Sequence, residues 1–245
     1  LGILLSRTVS GYVGAHLGWR AMFGIGAGLM LALVGLLIWR LPRDQPFFIG
    51  SYGALMKSLL TLVRQQPVLR RSALTGGFLF ASFSVFWTTV TFYLASSAHN
   101  HGQGYGSDVA GFFGLVGALG ALAASWTGKL ADRHGAGYTI RLGIGLALLG
   151  FVVLGGAGGY LLGLVAGVIL LDIGVQGAHI SNQTAIFALV PEARSRLNTV
   201  YMTMYFAGGS LGSVLGGLAW THFGWWGVCG LGAGLTGAAW LVQRR

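Results

Sequence analysis

Apolar runs of about 20 residues recur along this chain, each close to the length that crosses a hydrocarbon core ~30 Å thick as a helix. The short stretches between them carry almost all of the charge. That alternation excludes most folds at once. In lipid a backbone must satisfy its own polar groups, and a continuous run of this length does so as a helix. The expected fold is therefore an all-α membrane protein with about eight transmembrane helices. The runs can be drawn up to residue 16, then over 22–39, 72–97, 109–127, 140–154, 160–188, 199–218 and 225–242. Composition supports this where it bears on the point. Only 8% of the residues are charged, against about 25% in a soluble domain.

The charges are lopsided in sign and in side. The chain has 15 Lys and Arg against 5 Asp and Glu. Laid out on the runs, all but two of those 15 cations fall on one side of the membrane: Arg20 is on the other, and Arg7 lies inside the first run. The positive-inside rule makes that side cytoplasmic and puts the C-terminus on it. The expected setting is the inner (plasma) membrane, multi-pass. A net charge of +10 would also suit a nucleic-acid binder. These cations, however, sit in small clusters between apolar runs and form no patch for a phosphate backbone, so no nucleic acid is expected as a partner.

The longest polar stretch, 44–71, holds Lys57, Arg64, Arg70 and Arg71. Within it Tyr52, Leu55, Met56, Leu59, Leu60 and Val63 recur at helical spacing. It reads as an amphipathic linker helix at the interface between a segment 1–43 and a bundle 72–245, or as a soluble helix packed on the loops. The single cysteine, Cys229, lies in an apolar run and reads as packing. No enzymatic constellation emerges. The histidines are scattered except for His99 and His101, which lack a nearby thiol or acidic ligand, so no metal is expected. No phosphate-binding G-x-x-x-x-G-K-[ST] motif occurs and no cofactor is expected.

Small residues recur at helix-packing intervals: Gly159, Gly163 and Gly167; Gly208, Gly212 and Gly216; and Gly111, Gly114, Gly117 and Gly120. Such spacing lets helix backbones approach closely in lipid, as static packing or as surfaces that slide. Polar residues inside the runs are the candidate site. Asp172, Gln176, His179 and Gln183 fall at i, i+4, i+7 and i+11, one stripe of one helix. A carboxylate there costs about 2.5–3.5 kcal/mol on insertion scales, so it faces a cavity or a partner. Asp172 is a candidate for loading and releasing a proton. The stripe lines a water-accessible path or joins a hydrogen-bond network between helices. Phe80, Ser84, Trp87 and Thr91 share a stripe on another run, with Tyr93 nearby, and Tyr201 and Tyr205 invite the same comparison. An aromatic and hydroxyl lining suits an amphiphilic organic solute, although packing or lipid-facing aromatics give the same pattern. Arg7 either pairs with an acid or extends its long side chain to the surface.

Between two apolar runs lies Gly128-Lys129-Leu130-Ala131-Asp132-Arg133-His134-Gly135, continuing to Arg141. Its end glycines suit a tight turn, since glycine reaches φ > 0 without steric cost. The segment resembles the conserved loop of the major facilitator superfamily, G-x-L-A-D-R-x-G-x-[RK], through Gly128, Leu130, Ala131, Asp132, Arg133 and Gly135, with Arg141 as a later basic position. The turn at Gly18, Trp19, Arg20 and Phe23, the basic linker and the six runs after it also look like that family. Residues 175–192, with Arg194, Arg196, Leu197, Asn198, Tyr201 and Met202, resemble its bacterial drug- or sugar-efflux-like members.

The resemblance implies helices five to twelve of a twelve-helix transporter. Residues 1–43 would be the last two helices of the first bundle, 44–71 the cytoplasmic linker and 72–245 the second bundle, with four preceding helices needed for a complete cavity. It further implies that Asp172, Gln176, His179, Gln183, Ser84, Trp87, Thr91 and Arg7 belong to a proton or substrate pathway. Gly128, Asp132, Arg133, Gly135 and Arg141 would form a cytoplasmic gate. The implied function is secondary active transport of a small-molecule substrate, an organic solute exported by alternating access with protons as coupling ion. A truncated, non-transporting membrane fragment is the other reading. Neither is an enzyme.

Overall fold

In a computed structural model, residues 9, 13, 14, 16–41, 51–95, 130 and 133–244 are described. Among them the fold is helical, with no strand. Helix α1 is Trp19–Arg40, α2 Tyr52–Gln65, α3 Pro67–Ala95, α4 Ala136–Ala157 and α5 Leu161–Phe187. After a 3-10 turn at Pro191–Ala193 comes α6, Arg194–Arg244. Five of these, α1 and α3 to α6, are long and apolar enough to cross a membrane. The 51 residues of α6 would exceed any bilayer if straight, but Gly224, at φ 59 and ψ −151, breaks it into two arms. That backbone region is essentially open to glycine alone. The arms match the expected runs 199–218 and 225–242. The expected run 109–127 and most of the first lie outside the described residues.

Helix starts differ from expectation in physically readable ways. The first bundle helix begins at Pro67 rather than near residue 72, because proline's fixed φ and missing N–H suit a first helical turn. The glycine turn expected over 155–159 shortens to residues 158–160. Gly155 stays helical, and a Cβ there would meet Trp226 and Cys229 at 3.5 and 3.6 Å.

The bundle is built from two close pairs. Helix α3 runs parallel to the first arm of α6: a Cβ at Gly208 would fall on the carbonyl oxygen of Gly77, one at Gly212 on that of Ala81, and one at Gly216 2.9 Å from Cα of Val85. Helix α4 packs antiparallel on α5, where a Cβ at Gly150 would lie 2.9 Å from the Gly167 carbonyl oxygen. The second arm of α6 closes the group. Its Trp225 Nε1 donates to Leu154 O at 2.9 Å, and the Tyr93 hydroxyl donates to Gly158 O at 3.1 Å. Phe86, Phe151, Leu154, Leu171 and Trp225 form one core, with Cys229 buried among them. Leu69, Ile186, Leu197 and Tyr201 form another.

Helix α2 packs against α3 and α6 of this bundle. Ser51 caps α2 by accepting the Ala54 N–H at 3.3 Å. Its inward face is Leu55, Leu59, Leu62 and Val63, whereas Tyr52, Met56 and Leu60, expected on the same face, are exposed. None of the residues of α1 is buried. It is apolar all round and carries an Arg–Trp pair at each end, Arg20 over Trp19 and Arg40 over Trp39, both at 4.4 Å.

Candidate functional site

The candidate residues meet along a seam between α3, α5 and the first arm of α6. Asp172 sits near the middle of α5, about 16 Å along the helix from Leu161 at 1.5 Å per residue, and is 3% exposed. The Trp87 indole Nε1 of α3 donates to its Oδ1 at 3.3 Å. Two stripes that share no sequence neighbourhood are thereby joined. Phe83 and Phe86 brace the Trp87 ring at centroid separations of 6.0 and 5.3 Å.

Toward the other end of α5 the stripe turns to α6. His179 Nδ1 is 3.0 Å from the Tyr201 hydroxyl, and its ring lies 4.5 Å from that of Tyr205. Tyr205 in turn stacks on Phe80 of α3 at 4.0 Å. The fit depends on a missing side chain, since a Cβ at Gly209 would lie 2.5 Å from Phe80 Cδ1 and 3.2 Å from Ser84 Oγ. Gln183 Nε2 donates to Asn198 Oδ1 at 3.4 Å and approaches Met202 Sδ at 4.0 Å. Gln176 is half-buried on the same face.

The expected stripe thus divides. Asp172 meets Trp87 across the seam, while His179 and Gln183 make the interhelical hydrogen bonds that were the alternative to a water path. Ser84 is half-buried beside them, but Thr91 is exposed further toward the Ala95 end. Sequence reasoning passed over Ser181 and Asn182. Both are fully buried. Ser181 Oγ and both amide atoms of Asn182 lack a hydrogen bond, and the Asn182 side chain lies beside the Tyr201 hydroxyl. The signal was present as a run of three polar residues, Ser181-Asn182-Gln183, inside an apolar helix.

Of the expected gate, Gly135 takes φ 84 at the N-cap of α4, the positive value that its place in the hairpin suggested. Arg133 and Arg141 are exposed near it. Gly128 and Asp132 lie outside the described residues, as do Arg7, His99 and His101. A cavity of about 640 Å³ lies at the opposite end of the bundle, lined by Tyr93, Gly155, His222, Trp225 and Trp226. Asp172 is not among its lining residues.

Comparison with known proteins identifies the family. The sequence model of the Major Facilitator Superfamily matches residues 1–180. The chain is similar to the uncharacterized transporter YgaY of Escherichia coli O157:H7, with 42% identity over 95% of this chain and 58% of that protein. It is 32% identical to the Streptomyces coelicolor protein SCO4007, named as a transporter, over 98% of this chain and 54% of the relative. With a Haemophilus influenzae protein named as a sugar efflux transporter it shares 25% identity over 84% of this chain and 50% of the relative. The chain therefore spans about half the length of the curated relatives it matches. Apolar crossing helices, the turn at Gly135, the family match and these relatives converge: the chain is a multi-pass membrane protein and belongs to the Major Facilitator Superfamily.

Proposed function

We propose that this chain works in a secondary active transporter that exports a small organic solute by alternating access, with protons as the coupling ion. The observation that carries the reading is the Trp87–Asp172 bond, a carboxylate held in the membrane interior by a donor from the facing helix. An acid at such depth is costly and is characteristic of ion and substrate pathways. Protonation would replace a charge-assisted bond with a neutral one roughly half as strong. Proton uptake would then loosen α3 from α5, coupling the proton to helix movement. One charge moving down 100 mV supplies about 2.3 kcal/mol, enough for modest uphill export. Phe80, Phe83, Trp87 and Tyr205, with the Ser84 hydroxyl, make a lining suited to an amphiphilic solute. Export as the direction is supported by the likeness to the protein named as a sugar efflux transporter.

Gly128, Asp132, Arg133, Gly135 and Arg141 serve as the gate at the basic end of the bundle, which faces the cytoplasm, with the linker 44–71 joining the two bundles there. The test is Asp172→Asn in the protein as its gene encodes it, assayed for solute flux in vesicles with and without an imposed pH gradient. The expected result is loss of the response to the gradient. Gradient-driven flux that matches the parent sinks the proposal.

A further inference from the structure

A groove of about 380 Å³ lies outside the polar seam, where α2 crosses the first turns of α3 and α6. Its wall is hydrocarbon: Leu60 and Val63 from α2, Leu74 from α3, Val200 and Met204 from α6. Thr199 and Thr203 also line it, but their hydroxyls donate to the Ser195 and Thr199 carbonyl oxygens at 2.9 and 2.8 Å. They therefore offer the groove only their methyl groups. Met204 is ten residues into α6, so the slot reaches about 15 Å inward from the basic end of the bundle, and its α6 wall, Thr199 to Met204, is about 8 Å long.

The charged edge of this slot is Arg70. Its Nη1 donates to Val63 O at 3.1 Å and Arg64 O at 2.7 Å, which pins the guanidinium against the last turn of α2. Nε and Nη2 take no part in those two bonds. Lys57 and Arg64 on α2 and Arg71 on α3 add positive charge, and none of the chain's five acidic residues falls between Ser51 and Ala95.

We infer that this groove holds one acyl chain of an anionic phospholipid, with the lipid phosphate on Arg70. A soluble anion would leave the hydrocarbon wall wet. A neutral apolar molecule would leave the guanidinium donors unused. An extended peptide would bring backbone groups that this wall cannot satisfy. A phospholipid with a negative headgroup matches both the dry wall and the cationic edge.

The test is native mass spectrometry of the whole chain in detergent with added dioleoyl-phosphatidylglycerol or dioleoyl-phosphatidylcholine. The anionic lipid is expected to be retained in preference. Arg70→Gln should weaken its retention about fivefold, the ~1 kcal/mol that one basic side chain contributes near an anionic surface, and weaken the zwitterionic lipid less, because choline's cation offsets the phosphate that both lipids carry. Leu74→Trp, which fills the slot from an exposed position, should reduce anionic retention with helix content unchanged by circular dichroism. Equal retention of the two lipids overturns the inference. So does undiminished anionic retention in Leu74→Trp, the deciding variant if Arg70→Gln does not fold. So does a photoreactive phosphatidylglycerol that labels sites away from Leu74 and Met204, as it would if another helix covered the groove.

Discussion

Tyr201 ties three helices together at a single side chain. Its hydroxyl meets His179 of α5 at 3.0 Å, its ring stacks on Tyr205 at 5.9 Å, and it occupies space left by Gly76 of α3, where a Cβ would lie 2.8 Å from the phenol. Interhelical hydrogen bonds in membranes contribute about 0.6 kcal/mol on average and up to ~1.7 kcal/mol. Tyr201→Phe keeps the ring and deletes the bond. Thermal unfolding in detergent should therefore show a loss within that range, and an unchanged midpoint would mean that the hydroxyl contributes nothing. Trp87→Phe is the corresponding change at Asp172: it keeps an aromatic ring, removes the indole donor, and should reduce gradient-driven flux. Parent-like flux in that variant would separate Trp87 from coupling. The α5 stripe was legible because residues spaced i, i+4, i+7 and i+11 must share a helix face. Its partners were not, because Trp87, Asn198 and Tyr201 come from other helices and only packing decides which face meets which. Asn182 was missed because it lies off that stripe.

The pairing of α3 with the first arm of α6 rests on absent side chains. Gly212 has no room for a Cβ beside the Ala81 carbonyl, whereas a Cβ at Gly217 would meet nothing within 4 Å. Gly212→Ala should therefore cost about 1–3 kcal/mol through overpacking. Gly217→Ala should be neutral, or stabilising by up to ~1 kcal/mol through helix propensity. Chemical denaturation of the two variants side by side checks this, and equal effects would refute the packing account. The spacing of Gly208, Gly212 and Gly216 announced a close contact in advance. Spacing cannot name the opposing surface, and Gly77, Ala81 and Val85 emerged only from the fold. Helix ends were legible where chemistry punctuates them, as at Gly135. They were misjudged where packing overrides local preference, as at Gly155.

At the scale of the molecule, the bundle is polarised. Arg70, Arg71, Arg141, Arg194, Arg196 and Arg244 all lie at the end where α3 and α6 begin and α5 finishes. A fluorescent protein fused after Arg245 should fold and fluoresce, as such fusions do only in the cytoplasm. A dark fusion at normal expression would reverse the proposed orientation. This polarity was legible from the order of charges alone, because it needs only the alternation of spans and no knowledge of their packing. Helix α1 adds a constraint of a different kind. Its Trp–Arg pairs stand 20 residues apart, about 30 Å along the axis, close to the thickness of a bilayer's hydrocarbon core. Aromatic and cationic groups of this type anchor at the two water–lipid boundaries. With both ends moored, a thinner membrane cannot draw α1 toward either side; it has to lean the helix over or give way around it. The helix is in effect a gauge of fixed length, and the bilayer that accepts it upright is the one whose thickness it matches.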